Sequence, residues 1–167
     1  MNHRQQVAPF RLARMPKWGK SFFSSPVGFF EDLFLNEYAK KVLEENNIRG
    51  IDYLPVRIKS KDEYAREIYQ MTAQKILPDD ALDLSVSGIK QISCPNCGKK
   101  QYALEDDDIS LSVYANFLTH DVDCYSTNPI FGEELTHKKL IVSKRFYQAI
   151  CEAKIGRNLF WVPVKLL

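Results

Sequence analysis

The chain has 167 residues, of which 45% are hydrophobic and 26% are charged, and its mean hydropathy is −0.31. These values exclude a chain that is disordered by composition, and this length is enough to bury one core without the help of disulfides or metal ions. The longest apolar stretches, residues 27–30 and 159–164, are far shorter than the roughly 20 residues that cross a bilayer, so no membrane partner is expected. The 23 Lys and Arg nearly balance the 21 Asp and Glu, which makes nucleic acid an unlikely partner class.

Residues 1–25 contain scattered basic side chains and two prolines without periodicity. We therefore expect an extended N-terminal arm lying on a single domain formed by residues 26–167. The arm lacks the apolar stretch of a secretory signal, and the four cysteines lack the spacing of a secreted disulfide framework, so the sequence predicts a cytoplasmic protein. An Arg-containing start without acidic residues is also compatible with a transit peptide. The aromatic side chains between Trp18 and Phe34 predict packing against the core, with a partner-binding aromatic patch as the alternative.

The first segment with helical spacing of apolar residues begins after Asn36, which is placed to cap the helix. The helix is predicted to end near Asn46, and Gly50 is expected to take a left-handed turn conformation. Residues 51–58 then have the pattern of a strand. Pro55 has no N–H for a strand ladder, which predicts a sheet edge, a bulge or the end of the strand at this point.

A second segment repeats this plan near the carboxyl terminus. Ser143 is placed to cap a helix that ends at Gly156, and residues 159–166 are predicted to follow as a strand. Both predicted strands contain the order aromatic, aliphatic, Pro, Val, at residues 53–56 and 161–164. We therefore predict a single α+β domain in which two helix-strand units pack on one mixed or antiparallel sheet. Coincidence between short amphipathic segments is the alternative to a repeat.

The sequence between the two units does not fully determine its own secondary structure. Residues 64–71 have spacings compatible with either a helix or a strand. Residues 90–92 and 101–104 are predicted to form two strands on either side of a Cys-x-x-Cys knuckle. This predicts a knuckle on an inserted hairpin.

The knuckle, Cys94-Pro95-Asn96-Cys97-Gly98, is the one sharp chemical motif of the chain. Two thiolates at this spacing can bind one zinc ion, which needs four ligands when its role is structural. We predict a possible zinc site in which His120 and Cys124 complete the set, with His137 in reserve. Free thiols and a redox pair are the alternatives, and the redox reading is weaker because the residues after Cys97 do not resemble a helix start.

Patterns typical of enzymes are missing from the sequence. The three histidines have neither a nucleophile-elbow nor a metalloprotease context, and the glycines form no phosphate-binding loop. The sequence therefore predicts a protein that is not an enzyme. The acidic run Glu105, Asp106, Asp107 and Asp108 is typical of a solvated turn rather than of a cation site.

Several of these features together resemble a known class of proteins. The capped helices, the strands that contain Pro-Val, the central Cys-Pro-x-Cys-Gly, Phe131-Gly132 and the Ile-Val-Ser-Lys-Arg-Phe stretch at 141–146 resemble immunity proteins of bacterial polymorphic toxin systems. Among these, the double-CXXCG motif proteins of myxobacteria are the most similar, over about residues 28–164. The resemblance implies a non-catalytic cytoplasmic protein that binds and neutralises a cognate protein toxin. The chain has one such Cys motif instead of two. This difference weakens the expectation of bound zinc, but it does not affect the expectation that the protein inhibits a toxin, because inhibition requires no metal.

The partner surface is less defined by the sequence. Because the chain is not acidic overall, we expect the toxin to be bound through shape and apolar contacts, or through the acidic run of Glu105 to Asp108. A small zinc-knuckle module that binds nucleic acid or regulates is the alternative function. A thiol-redox enzyme is a third, weaker one.

Overall fold

A computed structural model of the chain describes residues 8–18, 21–25, 33–59, 63–94, 98–106, 109–132 and 137–167. Within these ranges the fold is α+β, as predicted, with two α-helices and thirteen short strands. The helices are Glu37–Glu45 (α1) and Lys144–Glu152 (α2). The strands are Arg11–Leu12 (β1), Phe23–Ser24 (β2), Leu33–Asn36 (β3), Ile51–Ile58 (β4), Glu63–Ala73 (β5), Lys75–Leu77 (β6), Leu82–Asp83 (β7), Ile89–Ser93 (β8), Lys100–Leu104 (β9), Ser112–Val113 (β10), Cys124–Thr127 (β11), Leu140–Val142 (β12) and Lys165–Leu166 (β13). None of the described helices is long and apolar enough to cross a membrane.

Strand pairing among the described residues gives four small sheets, which contain both parallel and antiparallel neighbours. The largest has the order β1-β4-β5-β3-β2, and its two edge strands, β1 and β2, both come from the N-terminal arm. Two three-stranded sheets have the orders β13-β10-β7 and β12-β11-β6, and β8 pairs with β9 as a hairpin. The arm is thus part of the largest sheet as well as a cover for it.

The first predicted unit is confirmed closely. The side chain of Asn36 accepts a hydrogen bond from the N–H of Ala39 at 2.9 Å, which caps α1. The turn that follows uses left-handed backbone at Gly50, where φ is +83°. Pro55 lies where the register between β4 and β5 shifts, so its missing N–H falls at a bulge.

The second predicted unit is confirmed for its helix and wrong for its strand. The Ser143 hydroxyl accepts from the N–H of Phe146 at 3.1 Å and caps α2. The predicted strand at 159–166 is reduced to the two residues of β13, and β13 belongs to a different sheet from β4. The reason is packing, because Leu159 and Trp161 contact one hydrophobic cluster whereas Val164 contacts another. The segment therefore crosses between two cores instead of joining one shared sheet.

A repeat is nevertheless present, and it consists of a strand that runs directly into a capped helix. When Asn36 is aligned with Ser143, β3 aligns with β12 and all nine residues of α1 align with those of α2. Both helices end alike, because the N–H of Ile48 donates to the carbonyl of Leu43 at 3.0 Å and that of Ile155 to Ile150 at 3.1 Å. The two helices also contact each other.

The core consists of three hydrophobic clusters. The first lies between the two helices and one face of the largest sheet, and includes Leu43 and Phe146. The second lies among the smaller sheets and includes Phe131. The third lies on the other face of the largest sheet, where Trp18 of the arm packs near Phe34. For the described aromatics between Trp18 and Phe34, the prediction of core packing is confirmed.

The middle of the chain is settled by strand pairing. The ambiguous residues 64–71 belong to β5, which pairs with β3 on one side and β4 on the other. The two strands expected at 90–92 and 101–104 are present as β8 and β9, which pair antiparallel, whereas the knuckle between them stays a prediction because residues 95–97 lie outside the described residues.

Candidate functional site

Cys94 lies at the closed end of the β8–β9 hairpin and is buried. Its N–H donates to the carbonyl of Lys99 at 2.9 Å, and its own carbonyl accepts from the N–H of Gly98 at 2.8 Å. Gly98 has φ of +68°, the left-handed conformation that glycine favours. These two hydrogen bonds join Cys94 to Gly98 and Lys99, and the second thiol of the knuckle, Cys97, lies outside the described residues.

The other two predicted zinc ligands lie in different surroundings. Cys124 is fully buried on β11 within the first hydrophobic cluster, whereas His120 is exposed in the turn before this strand. Burial, assisted by the charge of Asp123, raises the pKa of the Cys124 thiol to about 12. A neutral thiol in an apolar cluster behaves as a small core side chain. Over the described ranges, no three His, Cys, Asp or Glu side chains are grouped to hold a metal ion. The four-ligand zinc site therefore stays a prediction.

The acidic run lies at the end of β9. Glu105 and Asp106 are exposed, and Asp107 and Asp108 lie outside the described residues. The Glu105 carboxylate is 2.6 Å from the ammonium of Lys90 across the hairpin. Part of the negative charge of this run is thus balanced by a neighbouring strand.

Sequence reasoning missed three aromatic side chains on and after α2, of which Tyr147 and Phe160 are exposed and Trp161 is half-buried. We call Tyr147, Phe160 and Trp161 the aromatic patch. Phe160 is 71% exposed and Tyr147 is 44% exposed. The rings of Tyr147 and Trp161 meet edge to face, with centroids 5.3 Å apart. The centroid of the Trp161 ring also lies 6.3 Å from that of the buried Phe146 ring. Trp161 therefore anchors the patch to the core.

The part of the chain that carries the aromatic patch is rich in basic residues. Residues 137–167 contain seven Lys and Arg side chains and a single acidic one, Glu152. Lys144 lies one helical turn before Tyr147, and Lys154 and Arg157 are exposed after α2. This excess of positive charge was readable from the sequence, but the balanced total charge of the chain concealed it.

The equivalent side of α1 is closed by internal contacts. Lys40, which aligns with Tyr147, holds its ammonium 4.5 Å from the ring centroid of Tyr69 and 5.7 Å from that of Tyr53. The Tyr69 hydroxyl donates to the carboxylate of Glu37 at 2.7 Å, and this hydrogen bond raises the pKa of Tyr69 to about 12. The two helices of the repeat thus differ, because α1 uses this side for internal contacts whereas α2 presents aromatic and basic groups to solvent.

One cysteine differs from its expected position. The place of Cys151 at the flank of the apolar stripe of α2 predicts a small core residue, but its side chain is exposed, one turn after Tyr147. The apolar stripe of α2 consists of Phe146, Ala149 and Ile150, and Cys151 lies just beyond its edge.

Comparison of the chain with models of protein families, with curated proteins and with solved structures gave no match.

Proposed function

We propose that the chain is an immunity protein, which binds a cognate bacterial protein toxin in the cytoplasm and neutralises it without catalysis. The class of partner comes from the resemblance of the capped helices, the Cys-Pro-x-Cys-Gly motif and the Pro-Val segments. The observation that carries the proposal is the aromatic patch, whose most prominent ring, Phe160, is 71% exposed. Aromatic side chains and Arg are enriched at protein interfaces.

The energetics favour the patch as an anchor. An aromatic side chain buries about 150–250 Å² on full enclosure, and burial contributes about 25 cal/mol per Å². Enclosure of Phe160 by a partner would therefore contribute at most about 3 kcal/mol, the upper end for burial of a whole Phe side chain. The basic surroundings predict an acidic face on the toxin, since complementary charge speeds association and excludes other partners. Contact through the acidic run, Glu105 to Asp108, stays the alternative prediction.

The test measures binding to, and protection against, the product of the gene beside this one, which the proposal expects to be a toxin. Phe160→Ala is expected to weaken binding about tenfold or more and to reduce protection in co-expression. Its matched control is Tyr64→Ala, which removes another half-exposed ring, on β5 and away from α2. Both variants should unfold at the wild-type denaturant midpoint. If the unaltered chain neither binds nor protects, the immunity function is wrong.

The second candidate function is nucleic-acid binding, which the same combination of rings and cations favours. Single-stranded nucleic acids bind by stacking bases on aromatic side chains within basic surroundings. This function predicts an affinity for single-stranded RNA or DNA that falls steeply with salt, because binding releases counterions. A titration by fluorescence anisotropy at two salt concentrations separates it from the immunity function.

A further inference from the structure

Phe160 lies between two residues whose side chains pack against the core. Leu159 and Trp161 are partly buried against the first hydrophobic cluster, whereas Phe160 itself is 71% exposed. The N–H of Leu159 also donates to the carbonyl of Gly156 at 3.0 Å, which closes a turn just before the segment. Both neighbours of Phe160 are therefore attached to the core while its own ring stays accessible.

The turn that leads into this segment has no space for a side chain at its first residue. A Cβ at Gly156 would collide with Cγ2 of Ile150 and would lie 3.7 Å from the indole nitrogen of Trp161. Ile150 is 0% exposed on α2, so it cannot move aside without disturbing the core. The turn thus packs directly on α2 and on the ring that supports the aromatic patch.

One side chain of this turn is hydrogen-bonded to the N-terminal arm. The amide nitrogen of Asn158 donates to the backbone carbonyl of Phe23 at 2.5 Å, across 135 positions of the sequence. A carbonyl oxygen can only accept, so the nitrogen of this amide, and not its oxygen, faces Phe23. Phe23 lies on β2 and is 1% exposed within the first hydrophobic cluster. Asn158 therefore connects the segment that carries Phe160 to a buried residue of the arm.

The strand that accepts this hydrogen bond is itself held from two directions. It is an edge strand of the largest sheet and pairs antiparallel with β3. Just before it, the carbonyl of Phe22 accepts from the N–H of Asn36 at 3.2 Å, and the ring centroid of Phe22 lies 5.4 Å from that of Tyr38 on α1. The acceptor for Asn158 is thus fixed to both the sheet and the first helix.

We propose that Asn158 is a positioning residue that fixes the segment around Phe160 before the partner binds, and that the N-terminal arm is in this way part of the binding scaffold. This inference rests on the proposed function, in which Phe160 contacts the toxin. A segment that is ordered in advance loses less conformational entropy when a partner encloses its exposed side chain. Asn158 acts through Phe160, and its own amide stays on the carbonyl of Phe23.

Backbone order in the full, free chain tests the positioning without the toxin. The NMR order parameter of the Phe160 amide is expected to be about 0.85 in wild type, as in rigid backbone, and to fall below about 0.6 in Asn158→Ala. The matched control is Asn128→Ala, which removes an amide that donates to the carboxylate of Asp79 at 2.7 Å in another turn. A mobile Phe160 amide in wild type, or a rigid one in a folded Asn158→Ala, would overturn the proposal.

A double-mutant cycle tests whether Asn158 acts through Phe160. In an otherwise wild-type chain, Asn158→Ala is expected to weaken binding to the product of the neighbouring gene about three- to tenfold, as the loss of one hydrogen bond does. In a Phe160→Ala chain the same change is expected to have no effect, because the ring that Asn158 positions is absent. Unchanged affinity in Asn158→Ala, or an equal loss in both backgrounds, would overturn the proposal.

Two further outcomes keep this inference separate from the proposed function. If Asn158→Ala does not fold, Asn158→Asp, which keeps the shape and loses the donor, takes its place, and failure of both variants to fold would overturn a positioning role in favour of a purely structural one. If the wild-type chain does not bind the product of the neighbouring gene, the immunity function is wrong, and the order parameters of Phe160 in wild type and Asn158→Ala still decide whether Asn158 positions this segment.

Discussion

The carboxylate of Asp123 accepts a hydrogen bond from the hydroxyl of Ser143 at 2.6 Å, and this hydroxyl in turn accepts from the N–H of Phe146 at the start of α2. The same carboxylate accepts from the N–H of Arg49 at 2.8 Å and from Nε of Arg145 at 3.1 Å. Asp123 thus connects the turn after α1 to the first residues of α2. One buried charge links the two units of the repeat.

The first prediction concerns this charge. Asp123→Ala removes the acceptor of several charge-assisted hydrogen bonds and is expected to lower the free energy of unfolding by about 1.5–3 kcal/mol. Asp123→Asn keeps the shape of the side chain and removes its charge, so it should lower the free energy of unfolding by less than Asp123→Ala does. Urea denaturation at neutral pH measures both. Wild-type stability in Asp123→Ala would show that the contacts of Asp123 contribute nothing.

The same carboxylate predicts a pH dependence. Burial alone would raise its pKa, but hydrogen bonds from Arg145, Ser143 and Arg49 outweigh burial and lower the pKa. A lowered pKa in the folded state stabilises the fold above the unfolded pKa, which is about 3.9 for Asp. This contribution is lost as the pH falls through the folded pKa. Wild type is therefore expected to lose more stability on acidification below about pH 4 than Asp123→Asn, as measured by denaturant midpoints.

The third prediction tests the first hydrophobic cluster. Leu43 and Phe146 are 0% and 1% exposed, at corresponding sides of α1 and α2. Replacement of either by Ala is expected to cost about 2–5 kcal/mol, because large-to-small changes leave a cavity. Tyr38→Ala, on the exposed side of α1, is the control and should shift the midpoint little. Unchanged midpoints for Leu43→Ala and Phe146→Ala would place these residues outside the core.

The fourth prediction compares the cost of Ala substitution at two glycines with similar backbone conformations. Gly50 and Gly98 have φ of +83° and +68°, so Ala is strained at both. A Cβ at Gly50 would lie 2.6 Å from a methyl carbon of Val122, whereas a Cβ at Gly98 meets no atom of the described residues within 4 Å. Gly50→Ala is expected to cost about 1–3 kcal/mol more than Gly98→Ala, because only the first adds overpacking to strain. Equal unfolding midpoints would contradict this.

The fifth prediction concerns zinc at the knuckle. We expect about one zinc per purified chain, lost in Cys94→Ser and retained in Cys151→Ser, which changes an exposed thiol on α2. Mass spectrometry of metals measures the content. A strong chelator should loosen the β8–β9 hairpin while toxin protection persists, because a closed zinc site has a structural role. Metal-free wild-type protein would contradict the zinc site, and loss of protection by a folded Cys94→Ser would place the knuckle in the interface.

Local features were predictable from the sequence because they depend on neighbours a few residues apart. The caps at Asn36 and Ser143, the turn at Gly50 and the strand over residues 51–58 follow from side-chain hydrogen bonds, backbone freedom and apolar spacing. The single α+β character followed from the same patterns. None of these needs knowledge of what packs against the segment.

Tertiary structure decided the features that need a distant neighbour. Residues 64–71 are a strand because β3 and β4 flank them, and residues 159–164 are not, because their side chains pack on two separate clusters. Cys124 lies deep in a core and Cys151 at the surface, although both stand in amphipathic segments. A strand is completed by hydrogen bonds to another part of the chain, so local sequence determines its propensity while topology determines whether a partner is there.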